Sequence, residues 1–67
     1  MKISLKAARA NKGLTQKEAA KKIGISSDTL ANYEKGVSFP DIPVIVNIEK
    51  VYGVKYADLI FLPSDYA

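Results

Sequence analysis

Apolar residues recur along this chain at helical spacing, in blocks closed by glycine. Leu5 and Ala8 sit at i, i+3 near the start. Ala19, Ala20 and Ile23 form a stripe that Gly24 closes, and Leu30 and Tyr33 form another that Gly36 closes. Ile45, Ile48, Val51 and Tyr52 form a longer one, closed by Gly53. The pattern predicts a first helix over residues 2–10, with Ser4 as a possible N-cap and Asn11-Lys12-Gly13 as the turn after it. A second helix is predicted over 16–23 and a third over 27–35. Residues 37–40 form a loop. Asp41 then caps a fourth helix that tolerates Pro43 in its first turn. A last short helix is expected over 56–61, although Lys55 stands where a serine or threonine cap is usual. Pro63 stops it, and residues 64–67 are expected to be mobile. The expected fold is therefore all-α, a compact five-helix domain.

The densest local information lies between residues 14 and 36. Thr15-Gln16-Lys17-Glu18 is a capping box at the second helix. Gly24 supplies a left-handed stop, Ile25 an apolar residue in the turn, and Ser26 a cap for the third helix. Two short helices joined by so few residues, with a methyl-sized pair such as Ala19-Ala20 at the crossing, predict a helix-turn-helix over about 15–35. An ordinary helical hairpin in a small bundle would share this spacing.

Composition narrows the picture. Sixty-seven residues allow one domain, 1–67, and so short a chain buries only about 60% of its unfolded surface. Cysteine and histidine are both absent, which excludes disulfide staples and Cys/His metal sites, and no cofactor is expected. The longest apolar run, Val44-Ile45-Val46, is far short of the ~20 residues that span a bilayer, and no secretory h-region opens the chain. A cytoplasmic setting, in a bacterial or phage-infected cell, is the expectation, with no small-molecule ligand evident. The net charge of +3 is uneven. Residues 1–35 carry eight Lys/Arg against three Asp/Glu, whereas residues 36–67 carry two against four. The basic half holds the helix-turn-helix, which suggests an anionic partner for it; a solvated lysine surface would read the same way.

Leu14-Thr15-Gln16, Glu18, Ala20, Gly24-Ile25-Ser26, Thr29-Leu30, Tyr33-Glu34 and Gly36, at these spacings, resemble the Cro/repressor (Xre-like) helix-turn-helix family of phage and bacterial DNA-binding transcriptional regulators. The resemblance extends over roughly residues 5–59, with Ile45, Ile48, Gly53-Val54 and Leu59 in matching places. It implies a duplex DNA partner and a third helix that reads bases. It also implies an arginine–glutamate pair beneath the helix-turn-helix, carried here by Arg9 and Glu34, both of which fall beside apolar positions. Two exposed charges would be the plain alternative.

If Leu30 and Tyr33 point inward, Ser27, Asp28, Ala31 and Asn32 form the outward row that can meet base edges, in a helix laid in the major groove. Asn32 suits adenine, Ala31 a thymine methyl, and Asp28 either cytosine N4 or only the helix N-terminus. Gln16, Lys17, Thr29, Lys35 and Ser38 are placed for phosphates, Gln16 with help from the N-terminus of its helix. No arginine stands on the reading row, and Val37 and Phe39 occupy a loop where the family often carries basic residues. Ile60, Phe61, Leu62 and Tyr66 are more apolar surface than a monomer's tail needs, and the region matching Ile60, Phe61 and Leu62 often forms the family's two-fold contact; Ile60 and Leu62 completing a small core would be the plain alternative. A homodimer on DNA is therefore expected, with reading helices roughly 34 Å apart.

No nucleophile with a base beside it, and no glycine-rich phosphate loop, occurs at a recognisable spacing, so an enzyme is not expected. The leading expectation is a sequence-specific regulator, a repressor acting by operator occupancy. The alternative is a protein-interaction module of the antirepressor or antitoxin kind, favoured by Asp28 and the apolar loop and end.

Overall fold

The computed structural model describes residues 2–61, so the expectations for Leu62, Pro63 and the tail lie outside the described residues. In chain order the elements are β1 (Ile3–Ser4), α1 (Leu5–Asn11), α2 (Gln16–Ile23), α3 (Ser27–Lys35), α4 (Ile42–Tyr52), a 3-10 turn (Tyr56–Asp58) and β2 (Leu59–Ile60). The described residues are mostly helical, as the periodicity predicts, but among them four α-helices stand where five are expected.

Each helix starts on a side-chain cap. Ser4 Oγ accepts from the Ala7 N–H at 3.1 Å and Asp41 Oδ1 from the Val44 N–H at 3.2 Å. At α2 the capping box is complete. Thr15 Oγ1 accepts from the Glu18 N–H at 3.1 Å, and the Thr15 N–H donates to Glu18 Oε1 at 2.9 Å. That backbone donor holds the Glu18 carboxyl below the usual carboxylate range. Between α2 and α3, Gly24 takes φ +94°, where side chains are rarely accommodated, and two successive N–H groups, of Gly24 and Ile25, fold back onto the Ala20 carbonyl at 2.8 and 2.9 Å. The chain thus turns from α2 to α3 within three residues, and Ser26 opens α3 by accepting from the Thr29 N–H at 3.1 Å.

Two departures from the periodicity share one cause. A capping residue must itself be extended, and Ser4 is, at φ −74° and ψ 159°, so α1 begins at Leu5 and not at residue 2. Ile3 and Ser4 are then free to pair, and they do so in parallel with Leu59 and Ile60, in the register Ile3 with Leu59 and Ser4 with Ile60. The fifth helix expected over 56–61 is correspondingly cut to three residues. No side chain caps it at Lys55, and the chain gains more by pairing Leu59–Ile60 and burying Leu59 than by one more helical turn. The Tyr56 N–H finds its partner in Glu49 Oε2 at 2.7 Å, and Lys2 Nζ donates to the Ala57 carbonyl at 2.6 Å.

The core is Leu5, Ala8, Ala19, Ala20, Ile23, Leu30, Ile48, Tyr52 and Leu59. Ala19 and Ala20 are fully buried, and α2 packs on both α3 and α4, so methyl-sized side chains set the close approach. Asn47 of α4 donates to the Ile23 carbonyl at 3.2 Å and satisfies the end of α2.

Beneath the helix-turn-helix lies one charged network. Arg9 of α1 donates through Nε to Glu34 Oε2 at 2.8 Å, through Nη2 to Glu34 Oε1 at 3.3 Å, and through Nη1 to the Leu14 carbonyl at 2.9 Å. Gln16 Nε2 adds a donor to Glu34 Oε1 at 3.0 Å. The Arg9 side chain is 14% exposed and that of Glu34 5%. The hydrogen bond to Glu34 raises the Arg9 pKa above its ordinary value, so the guanidinium stays charged. Tyr52 lies within their field. Burial first, and the Glu34 charge second, push its phenol up to about 12, and among the described residues its hydroxyl has no hydrogen-bond partner.

Arg9→Ala strands the Glu34 carboxylate and should cost about 3–5 kcal/mol in denaturant unfolding; a loss under about 1 kcal/mol would show the pair to be a surface one. Tyr52→Phe removes an orphan hydroxyl, so stability should hold or rise by up to about 1 kcal/mol. A clear drop would mean that the hydroxyl is bonded.

Candidate nucleic-acid interface

The outer row of α3 is built by default. Leu30 is fully buried and Tyr33 half-buried, which turns Ser27, Asp28 and Asn32 out as exposed side chains and leaves Ala31 half-buried beside them. An α-helix with its side chains is about 10–12 Å across, which fits a major groove ~12 Å wide. Thr29 differs from its neighbours. It is half-buried, and its Oγ1 accepts from the Ser26 hydroxyl at 2.8 Å, so it belongs to the cap of α3 as much as to any outward surface.

The residues placed for phosphates fall into two groups. Lys17 in the first turn of α2 and Lys35 in the last turn of α3 are exposed. Gln16 and Ser38 are half-buried. Gln16, which the sequence places as a phosphate donor, rests its amide nitrogen on Glu34 and is tied to the network beneath the helix-turn-helix. Sequence spacing does not show this tie, because it joins residues 18 apart through the packing of α2 on α3. One consequence is a fixed Gln16 side chain at the positive end of α2, where backbone N–H groups and dipole favour an anion.

Charge on this face is mixed. Asp28 stands in the first turn of α3, where a carboxylate complements the helix dipole and, in a groove, can accept from a cytosine amine. Among the described residues no group of three or more His, Cys, Asp or Glu could hold a metal ion.

Large apolar side chains stand exposed in the α3–α4 loop, on α4 and near β2. Val37 and Phe39 are each 59% exposed, and Ile42, Val46, Tyr56 and Ile60 are exposed as well. Phe61 is half-buried, meeting Phe39 edge-on at 6.3 Å between ring centres and Tyr56 at 5.9 Å. Phe39, Pro40, Ile45, Tyr56 and Phe61 line a shallow cavity of about 360 Å³. Ile60 is drawn into β2 opposite Ser4 and keeps an exposed side chain, while Leu62 lies outside the described residues.

No helix among the described residues is long and apolar enough to cross a membrane. The helix-turn-helix family model matches residues 5–59. An uncharacterised HTH-type transcriptional regulator of Methanocaldococcus jannaschii is 40% identical over 65 residues, covering 97% of this chain and 98% of that protein. The HTH-type transcriptional regulator ImmR of Bacillus subtilis is 42% identical over 50 residues, 75% of this chain but 39% of its own length. The transcriptional repressor RstR of the cryptic phage CTXphi in Vibrio cholerae is 36% identical over 52 residues, 78% of this chain and 47% of its own. The chain therefore belongs to the Cro/repressor, or Xre-like, helix-turn-helix family of DNA-binding transcriptional regulators.

Proposed function

We propose that this DNA-binding transcriptional regulator acts as a repressor, occupying an operator with α3 in the major groove and excluding other proteins from it. The observation that carries this reading is the exposed row Ser27, Asp28 and Asn32, with Ala31 beside it, on a helix whose other side is locked into the core. RstR and ImmR, which match most of this chain, carry the words repressor and regulator in their names. In this reading Asn32 pairs with adenine, Ser27 donates or accepts at a base edge, Ala31 meets a thymine methyl and Asp28 takes cytosine. Gln16, Lys17, Thr29, Lys35 and Ser38 grip phosphates and set the register of the helix on the duplex.

The same proposal includes a homodimer on DNA. The exposed apolar surface around Phe39, Tyr56 and Ile60, with Phe61 behind it, supports a two-fold contact at Ile60, Phe61 and Leu62. Two copies so joined would present two α3 helices about 34 Å apart, one turn of DNA.

The first test is binding to a pool of random duplexes at two salt concentrations, with sequencing of the bound fraction. An enriched palindrome with half-sites about one turn apart supports both repressor geometry and dimer. Binding without enrichment would refute base reading. On the enriched site, Asn32→Ala should cost about 1–3 kcal/mol and relax one position of each half-site. Gln16→Ala should weaken all sequences alike, and Lys17→Gln should lower the salt slope by about one.

A further inference from the structure

Lys12, Lys22 and Lys50 come from three different parts of the chain and converge. Lys12 caps the end of α1, Lys22 lies in the last turn of α2 and Lys50 in the last turn of α4. With Leu14 and Val51 they line one concavity of about 500 Å³. Lys12 reaches across it: its Nζ is 3.2 Å from where a Cβ on Gly53 would stand, so its arm spans from α1 to the end of α4. Lys22 and Lys50 each complement the negative end of their own helix. That role does not require all three ammonium groups to surround a single hollow.

The hollow has a definite chemistry. Its floor is apolar, formed by Leu14 and Val51, both half-buried against the core. Its rim is cationic and no carboxylate lines it. None of the three lysines forms an ion pair with a described residue. Glu18, one turn before Lys22 on α2, is held mainly by Thr15 and feels the Lys22 charge only as the smallest of its influences. Like charges around a concave, low-dielectric surface reinforce one another's field. No lining residue belongs to α3 or to the loop after it, and none is among the residues assigned to bases or phosphates.

We propose that this cleft is a second binding surface, separate from the DNA face, that docks an acidic peptide segment of a partner protein in which aspartate or glutamate is interspersed with apolar side chains. The ammonium groups pair with the carboxylates, the lysine stems and the Leu14–Val51 floor cover the apolar side chains, and the arms close over the segment. A bare phosphate backbone would use the rim and leave the floor empty. The chain would thus hold DNA on one side and recruit an acidic partner on another.

The test uses the full chain without DNA and a fluorescent peptide of alternating aspartate and leucine as probe, followed by anisotropy. An alternating aspartate–serine peptide tests the floor, and an unselected duplex tests the DNA face. Wild-type protein should bind the aspartate–leucine peptide more tightly than the aspartate–serine one. The triple variant K12Q/K22Q/K50Q should lose on the order of tenfold in peptide affinity, as three exposed ion pairs imply, with duplex affinity unchanged and the melting temperature lowered by no more than the loss of two helix-end charges implies. K17Q should do the reverse, lowering duplex affinity and sparing the peptide. The proposal is overturned if the aspartate–leucine peptide does not bind, if the triple variant binds it as well as wild type, or if the triple variant loses duplex affinity by the same factor. K12E/K22E/K50E should abolish peptide binding; if that charge-reversed chain does not fold, the glutamine set decides. Peptide binding is read without DNA, so a failure of operator recognition leaves this test intact.

Discussion

Glu34 is a carboxylate almost wholly withdrawn from water, and it can exist there only because three donors converge on it. Those donors come from α1 and α2, while Glu34 belongs to α3. The cost of burying the charge is met only if all three helices hold one mutual arrangement. Hydrophobic burial among Ala19, Ala20, Leu30 and Ile48 is non-directional and would tolerate small rotations of α3. The guanidinium fork, which also engages the Leu14 carbonyl, would not. The orientation of the outer row of α3 is therefore fixed from below, by an interaction on the opposite side of the helix from any ligand.

The same network reaches the surface through Gln16. Its amide is at once a buried partner of Glu34 and the first side chain of α2. If Gln16 grips a phosphate as proposed, packing and recognition meet in a single residue, and the stability of the core and the position of that donor are coupled. Tyr52 marks the other limit of the network. Its hydroxyl lies in the field of Glu34 and Arg9 without a hydrogen bond among the described residues. The network is thus satisfied on the helix-turn-helix side and meets an unpartnered hydroxyl on the α4 side among the described residues.

Much of the fold was legible because its punctuation is local. Thr15 with Glu18, Asp41 before Pro43, and the glycines after α2, α3 and α4 act within a turn of where they stand, and the sequence displays them directly. What was not legible depends on partners far along the chain. Residues 3–4 and 59–60 look helical in any short window, because the reason to be extended lies at the other end of the molecule. Even so, Ser4 held a warning, since a residue cannot both cap a helix and lie within it. At the candidate site, the outward row of α3 follows from the inward placing of Leu30 and Tyr33. The bond from Gln16 to Glu34 and the meeting of Lys12, Lys22 and Lys50 depend on how helices cross, which spacing along one helix does not encode.

The short β1–β2 ribbon has a mechanical meaning. Because the strands are parallel, tension entering ahead of Ile3 and leaving after Ile60 pulls them in opposite directions along their length. Their hydrogen bonds are then loaded together, in shear, and not peeled one at a time. The helices behind the ribbon feel no pull until it gives way. A two-residue clasp of this kind shields the helix-turn-helix from whatever tugs at either flank of the domain.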